Sequence, residues 1–430
     1  MKLRALCGTM VLLGILSTQC YADNVHHRVK SAAPPEMSEA NTLFWYNLID
    51  RNADYTGSVV FDQKNHLSGF VATSLNYQTK RSSYDGDDKS PGNSKGSTSL
   101  GITNPELYFD SQVNDWTLAH VALTYNNDFN NSNQFGNMDM FFTEANVMLQ
   151  NFTQGGNLWS KIGMQYLNFG GEHSGLFTNP VTYNLFQTNA PAVTVGFVNL
   201  NGFYGDGFIY NGVPSGEIEP TTGKPDNSNT IHGYGLDLGY VYGTATNGFN
   251  LVADYLADLN STLLMQWNNN VASGGKITPN KEIPGDAFDA YYHIGPWAFD
   301  ASYVAALTSY DSSQYQFNNQ GARPTAYALE ADYNFGTTHP QTVALGYQQT
   351  EDMLGLSAFG GGIPLPKSRI DFTYFYTIVT NMTLNFEIQN NRDYGMGDNL
   401  TVTNDLKQVT KFTGTGNRYN YLGIGYKLIF

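Results

Sequence analysis

Cysteine is almost missing from this chain of 430 residues: its two copies, Cys7 and Cys20, both fall in the opening segment. That segment, residues 1–22, reads as a secretory signal. Lys2 and Arg4 supply a positive start, Val11 to Leu16 lie in an apolar run, and Cys20-Tyr21-Ala22 is a small-x-small cleavage site. The mature chain is expected to begin at Asp23. A lipoprotein reading of Cys20 competes, but Gln19 stands where such a signal wants a small residue. With the signal removed no cysteine is left, which excludes disulfide frameworks, thiolate metal sites and cysteine nucleophiles together. It suits a chain that crosses an oxidising periplasm unfolded, where a stray thiol mispairs.

Charge is the second shortage, with 14% of residues charged against about 25% in a soluble globular chain. Long apolar runs are the third. Outside the signal no stretch approaches the roughly 18 apolar residues of a transmembrane helix. Basic residues are scarce too: without Lys2 and Arg4 there are 20 against 37 acidic ones, a net charge of −17. Nucleic acid is therefore not an expected partner, since phosphate binding needs basic patches. Glycine (44), tyrosine (29) and phenylalanine (26) are abundant instead. Low charge with many glycines and aromatics, and no helical apolar runs, points to β-structure in a membrane.

The organisation along the chain fits that class. Residues 23–65 read as a periplasmic segment: a polar, proline-containing tail to Pro35, then a short amphipathic helix over Ser38–Asp50. From His66 to Phe430 the pattern turns to period two, as in barrel strands that alternate lipid-facing apolar residues with lumen-facing polar ones. Over 139–150 the outward set is Phe141, Thr143, Ala145, Val147 and Leu149, with Glu144 and Asn146 inward. Over 249–260 it is Phe249, Leu251, Ala253, Tyr255, Ala257 and Leu259, with Asp254 and Asp258 inward, two pleats apart on one face. Trp297 to Leu307 and Ile370 to Ile388 repeat the pattern. The end, Tyr421 to Phe430, alternates strictly to a terminal aromatic and resembles the targeting strand of bacterial outer-membrane proteins.

Connections count the strands, because barrels have short periplasmic turns and longer outer loops. Eight long connections, approximately 79–98, 126–138, 168–191, 213–230, 261–285, 308–324, 351–367 and 391–417, alternate with seven short ones, including 111–114, Gly295-Pro296 and 379–381. The expected fold is an all-β, antiparallel transmembrane barrel of about sixteen strands, with fourteen or eighteen as alternatives. Tyr55–Phe61 also looks like a strand, but a seventeenth would leave the N-terminus outside, so it is assigned to the periplasmic base or the lumen. Leu100–Asp110 and Gly202–Asn211 are the least regular strands; Pro105 in the first marks a bulge or an end, as it cannot donate to the ladder.

Sixteen strands enclose more space than wall side chains fill, so a water-filled lumen is expected. Ten carboxylates are assigned inward, among them Glu144, Asp254, Asp258 and Glu330, against three bases, Lys161, Arg369 and Lys427. That imbalance favours cations, although lumen carboxylates also serve as hydrogen-bond partners within the wall. The third long connection carries Gly170-Gly-Glu-His-Ser-Gly175. Folded inward, as third loops of porin-like barrels often are, it brings Glu172 and His173 to the constriction; a solvated loop is the competing reading. The candidate substrate-binding set is thus Glu172, His173, Asp254, Asp258, Glu144 and Arg369. One Glu-His pair is too few for a metal centre, so metal ligands stay unassigned. Tyr84 to Asp88 lacks calcium-loop spacing and reads as a turn. No Ser/His/Asp or His-Glu-x-x-His arrangement occurs, so no catalytic residue, cofactor or enzymatic activity is expected.

The segment Asn47 to His66, NLIDRNADYTGSVVFDQKNH, together with the strand-and-loop plan and the short N-terminal extension, resembles the LbtU-type siderophore porins, the legiobactin receptors of Legionella and its relatives. That resemblance covers most of the mature chain. It implies uptake of a ferric siderophore without TonB coupling, and segment 23–65 is too short for the plug of TonB-dependent receptors. An anionic ferric chelate would meet repulsion from an acidic lumen, so recognition would fall to the neutral outer loops, unless the cargo is a small cationic solute. A general cation-preferring porin and a surface adhesin are the alternatives. Outer-membrane lipid is the expected surrounding, and assembly as a homotrimer is left open.

Overall fold

A computed structural model of the chain describes residues 65–79, 97–114, 117–127, 138–150, 158–170, 174–199, 202–212, 231–244, 247–271, 277–356, 365–379 and 381–429. The signal, the helix expected at 38–50, the strand-like 55–61 and Phe430 lie outside these residues.

The wall begins with β1 (Asn65–Gln78), β2 (Ser97–Asn114), β3 (Thr117–Asn127), β4 (Met138–Gln150) and β5 (Leu158–Tyr166). After helix α1 (Val181–Phe186) come β6 (Asn189–Val198), β7 (Phe203–Tyr210), β8 (Gly233–Thr244) and β9 (Asn247–Leu256). A 3-10 turn (Leu259–Ser261) and helix α2 (Leu263–Val271) precede β10 (Gly285–Ile294) and β11 (Trp297–Ala306). Two short strands then leave the wall, β12 (Tyr315–Phe317) and β13 (Gln320–Gly321). The wall resumes with β14 (Thr325–Phe335), β15 (Gln341–Glu351), β16 (Ser368–Val379) and β17 (Met382–Arg392). After another excursion, β18 (Asn399–Thr403) and β19 (Val409–Thr413), it ends on β20 (Arg418–Ile429). Each wall strand pairs with its neighbours and β20 closes antiparallel on β1, giving a closed barrel of sixteen strands. Closure leaves no edge strand, and every ladder amide in the lipid is satisfied within the protein.

Alternation decides which way each side chain points. On β9 Leu251 and Ala253 are exposed while Asn250, Val252 and Asp254 are buried; on β16 Ile370 and Phe372 face out, and Asp371 and Thr373 face in. Two aromatic belts flank the aliphatic band, placing amphipathic rings at both lipid–water boundaries. The belt near the short turns includes Phe203 against Tyr240 at 4.6 Å, Trp297 against Tyr333 at 4.7 Å and His339 against Tyr376 at 5.6 Å. The belt near the long loops includes Tyr234 with Tyr255 and Tyr327 with Tyr347. Among the described residues no helix is long and apolar enough to cross a membrane; the crossing is made by strands.

Several sequence expectations need correction. Thr143 does not face lipid. Glu144 pairs with Ala122 but Phe142 pairs with Leu123, so Thr143 is an extra residue in a β-bulge; it turns inward and Phe142 takes the outward place at 58% exposure. Strand β9 stops at Leu256, so Ala257 and Leu259 are buried beyond it, and Asp258 caps the 3-10 turn instead of extending a face with Asp254. Residues 111–114, expected as a turn, are strand instead: β2 runs on through Asn114, which pairs with Thr117. Pro105 does sit at a bulge: Phe70 pairs with Glu106 and Ala72 with Thr103, leaving one residue too many on β2.

The largest departure concerns the long loops. They are not simply solvated: Tyr310 and Tyr315 are buried, with Phe317 packed beside them. Strands β13, β12, β18 and β19 form a separate four-stranded sheet joining the sixth and eighth outer loops. Its inner face continues an apolar core built from the third loop (Leu167, Phe169, Val181, Leu185), the fifth (Leu259, Leu264, Met265, Ile277, Ile283), the seventh (Met353, Leu354, Leu356, Leu365) and the eighth (Tyr394, Leu400, Val402). Wall residues at the outer end, including Tyr210, Leu256, Val304 and Ala326, complete it. The outer end of the barrel is thus packed with loop side chains, where the sequence suggested only a water-filled passage.

The loop-lined lumen as candidate functional site

Register sets the charge on the lumen wall. Asp206 on β7 stands opposite Asp237 on β8, which stands opposite Asp254 on β9. Further round, Asp300 on β11 faces Glu330 on β14, followed by Gly346 on β15 and Asp371 on β16. Glu387 on β17 lies opposite Thr373. Like charges directly opposed across a sheet are unfavourable, so such a row needs donors.

The third outer loop, 167–188, supplies them. Asn168 Nδ2 donates to Asp206 Oδ2 at 2.6 Å, and the Gly170 amide to Asp254 Oδ2 at 2.7 Å. Ser174 Oγ reaches Glu330 Oε2 at 2.7 Å, while the Gly175 amide donates to Glu330 Oε1. The Thr178 amide and hydroxyl both donate to Glu387 Oε1 at 3.2 Å, and the Phe177 amide to Thr373 Oγ1 at 3.4 Å. The loop then turns back: the Val181 amide, at the start of α1, donates to Gln348 Oε1 at 2.7 Å, and Thr182 bonds Ser302 at 2.9 Å. A backbone that would carry unsatisfied amides inside the barrel is thereby matched to a wall carrying surplus acceptors.

Packing fixes the same loop sterically. A Cβ at Gly346 would lie 2.9 Å from Leu176 Cδ1, and one at Gly425 2.4 Å from Phe177 Cζ. Only glycine leaves notches on β15 and β20 deep enough for these two side chains.

On the other side of the lumen a second network runs across β2 to β5. His120 Nδ1 is 2.7 Å from Asp110 Oδ1 and its Nε2 is 3.8 Å from Glu144 Oε1; Lys161 Nζ lies 3.9 Å from Glu144 Oε2. Arg369 borders the acidic row, donating from Nε to Asn391 Oδ1 at 2.9 Å with Asp371 Oδ1 at 3.9 Å. Of the six residues singled out from sequence, Asp254 therefore joins the loop-bearing row, Arg369 pairs with Asp371 of that row, Glu144 joins an ion network on β4, and Asp258 caps a loop. Glu172 and His173 lie outside the described residues. Among the described residues no group of three or more His, Cys, Asp or Glu is placed to hold a metal.

Comparison with known proteins agrees with this geometry at the level of fold. No family model matches the chain. A UPF0422 protein of Coxiella burnetii is 28% identical over 72% of this chain and 64% of its own length. A UPF0422 protein of Legionella pneumophila strain Lens is 26% identical over 71% of this chain and 56% of its own. The chain thus spans less than two thirds of the length of these curated relatives. Among solved structures, an anion-selective porin from Comamonas acidovorans superposes with a TM-score of 0.53 at 12% identity, covering 85% of this chain and 99% of that one. OmpF of Salmonella typhi, in complex with daunomycin, gives 0.51 at 12%, covering 86% and 99%, and the channel DcaP of Acinetobacter baumannii 0.50 at 15% with the same coverage. The chain is an outer-membrane β-barrel with the porin fold.

Within that fold the fifth outer loop carries a titrating anchor. Asp258 Oδ1 accepts from the Asn260 amide at 3.1 Å, the Ile283 amide at 3.0 Å and Asn260 Nδ2 at 2.7 Å, tying both ends of the loop. Burial raises its carboxyl from 3.8 to about 6, outweighing those hydrogen bonds, with nearby Glu282 adding to the rise. The folded form therefore holds its proton where the unfolded chain has lost it. The stability this contributes is complete below the unfolded value and declines as pH rises towards the folded one, by a total of about 3 kcal/mol at most. Asp258→Asn keeps the acceptor and never ionises. Its melting temperature in detergent should match wild type at pH 4 and exceed it at pH 8; a pH-independent difference would refute this account.

The residues hardest to find from sequence were Asp110, His120 and Asp206 on the wall and Ser174, Leu176, Phe177 and Thr178 on the loop. Asp206 lies in a strand too glycine-rich to show alternation. The loop residues carry no periodic signal at all, since their places are set by the wall they meet.

Proposed function

We propose that the protein is a substrate-selective outer-membrane channel that takes up a ferric siderophore without an energised plug. The observation that carries the selective reading is the third loop, bonded from β7 round to β17 beneath a packed apolar cap. Beyond an inward third loop, the fifth, seventh and eighth outer loops bury a shared apolar core over it, which narrows what can enter. The ferric-siderophore cargo is supported by the resemblance to siderophore porins. The repulsion expected between an acidic lumen and an anionic chelate is reduced, since Asp206, Asp254, Glu330 and Glu387 already accept hydrogen bonds from the loop.

The test is direct binding. Purified barrel in detergent, titrated with a panel of ferric siderophores and with unrelated iron chelates, should bind one siderophore saturably, and cells lacking the gene should lose uptake of that complex. Equal, non-saturable responses to every chelate would reject the cargo. A general cation-preferring porin is the second reading, favoured by the acidic row itself. It would appear as constitutive conductance with K⁺ passing better than Cl⁻.

A further inference from the structure

The four-stranded cap sheet has two unlike faces. Tyr315, Leu400 and Val402 point to the lumen core, with Phe317 and Phe412 packed against it. Register puts Gln316 opposite Thr401, and Thr401 opposite Lys411. These three side chains therefore form one row across β12, β18 and β19 on the outward face. At one end the row meets the two-residue turn Asn318-Asn319, whose φ angles of 47° and 69° suit the tight hairpin between β12 and β13. From the eighth loop Gly397 and Asn399 close the other side. The result is a cleft of about 420 Å³, within the size range of small-molecule sites.

Part of this polarity is structural. The Asn399 amide donates to Asn318 Oδ1 at 2.9 Å, and Thr413 Oγ1 to Asn399 Oδ1 at 3.0 Å. Gln316, Asn319, Thr401 and Lys411 are engaged by no other side chain among the described residues. The neighbouring acid, Asp398, is already held by Lys367 Nζ at 3.6 Å, the Gly395 amide at 2.9 Å and Asn318 Nδ2 at 3.2 Å. The cleft thus offers one ammonium, two amides that both donate and accept, and a hydroxyl. An ammonium is matched by a carboxylate, and amides with a hydroxyl are matched by alcohol groups.

We infer that this cleft binds a small hydroxycarboxylate, one carboxylate beside several hydroxyl groups, bridging the sixth and eighth outer loops. The inference stands apart from the transport reading, because binding at the cap requires no passage through the lumen. The same chemistry has two sources, a free hydroxy acid and the acidic sugar of a surface glycan. Gluconate, galacturonate and glucose, each titrated calorimetrically into the full mature barrel in detergent, separate them. Saturable binding of gluconate alone identifies a free acid, binding of galacturonate an acidic sugar, and either supports the site. Lys411→Gln should weaken that binding about tenfold, and Thr401→Val by a smaller factor, with heat-dependent gel mobility confirming that each variant is folded. No saturable binding of either acid, glucose binding as tightly as galacturonate, or unchanged affinity in folded Lys411→Gln would overturn it.

Discussion

A barrel in which residues 170–187 are replaced by a short Gly-Ser linker should conduct about tenfold more current in planar bilayers than the wild type, because a sixteen-strand wall by itself encloses a water-filled channel. The segment removes from the lumen Leu176 and Phe177, which fill the glycine notches at Gly346 and Gly425, together with helix α1. It also strips the loop's own donors from Asp254, Glu330 and Glu387, so the opened pore should favour K⁺ over Cl⁻ more strongly than before. Single-channel recording on folded variant, checked by gel mobility, decides the matter. Equal conductance in both proteins would mean that the loop does not limit the passage.

Glu387→Leu should be the most damaging single substitution in the lumen, costing about 3 kcal/mol or more, since several buried donors lose their acceptor at once. Glu387 is fully buried and accepts from the Thr178 amide, the Thr178 hydroxyl, Thr373 Oγ1 at 3.1 Å and Gln389 Nε2 at 3.1 Å. Glu387→Gln keeps an acceptor oxygen and should lose less than half as much. Urea unfolding of the two variants in detergent or lipid measures the difference; equal losses would show that the charge, and not the bonding pattern, is what Thr178 requires.

How much of this was legible in the sequence follows from where each signal resides. The wall was readable because lipid on one side and polar lumen on the other impose a period of two on residues such as Ile370 to Thr373. The strand number followed from loop lengths, which alternate for a reason of construction. The cap was not read, although Leu400-Thr-Val402 and Val409 to Thr413 alternate too: strands of five residues are too short to stand out from Asn- and Gly-rich surroundings. Bulges were only partly visible. Pro105 announces one by its missing donor, whereas Thr143 is an ordinary strand residue whose inversion depends on pairing with β3. Asp258 looked like a lumen residue because alternation continues in the letters past Leu256 after the strand has ended. For the candidate site, the sequence singled out the third loop at Glu172 and His173, which lie outside the described residues, and wall acids such as Asp254 and Glu330. Which acid meets which amide depends on the circumference of the closed barrel, and no local pattern encodes that.

The tie between Thr178 and Gln389 spans 211 positions of chain. Bringing such distant partners together carries an ordering cost that local hairpins do not. The third loop's seat, which runs from Asp206 on β7 to Glu387 on β17, is therefore complete only once β17 has joined the wall. Without that loop the carboxylates from Asp206 to Glu387 would face the open lumen. A wall alone would be a wide, wet vessel; this one is guarded by a segment anchored across most of its circumference.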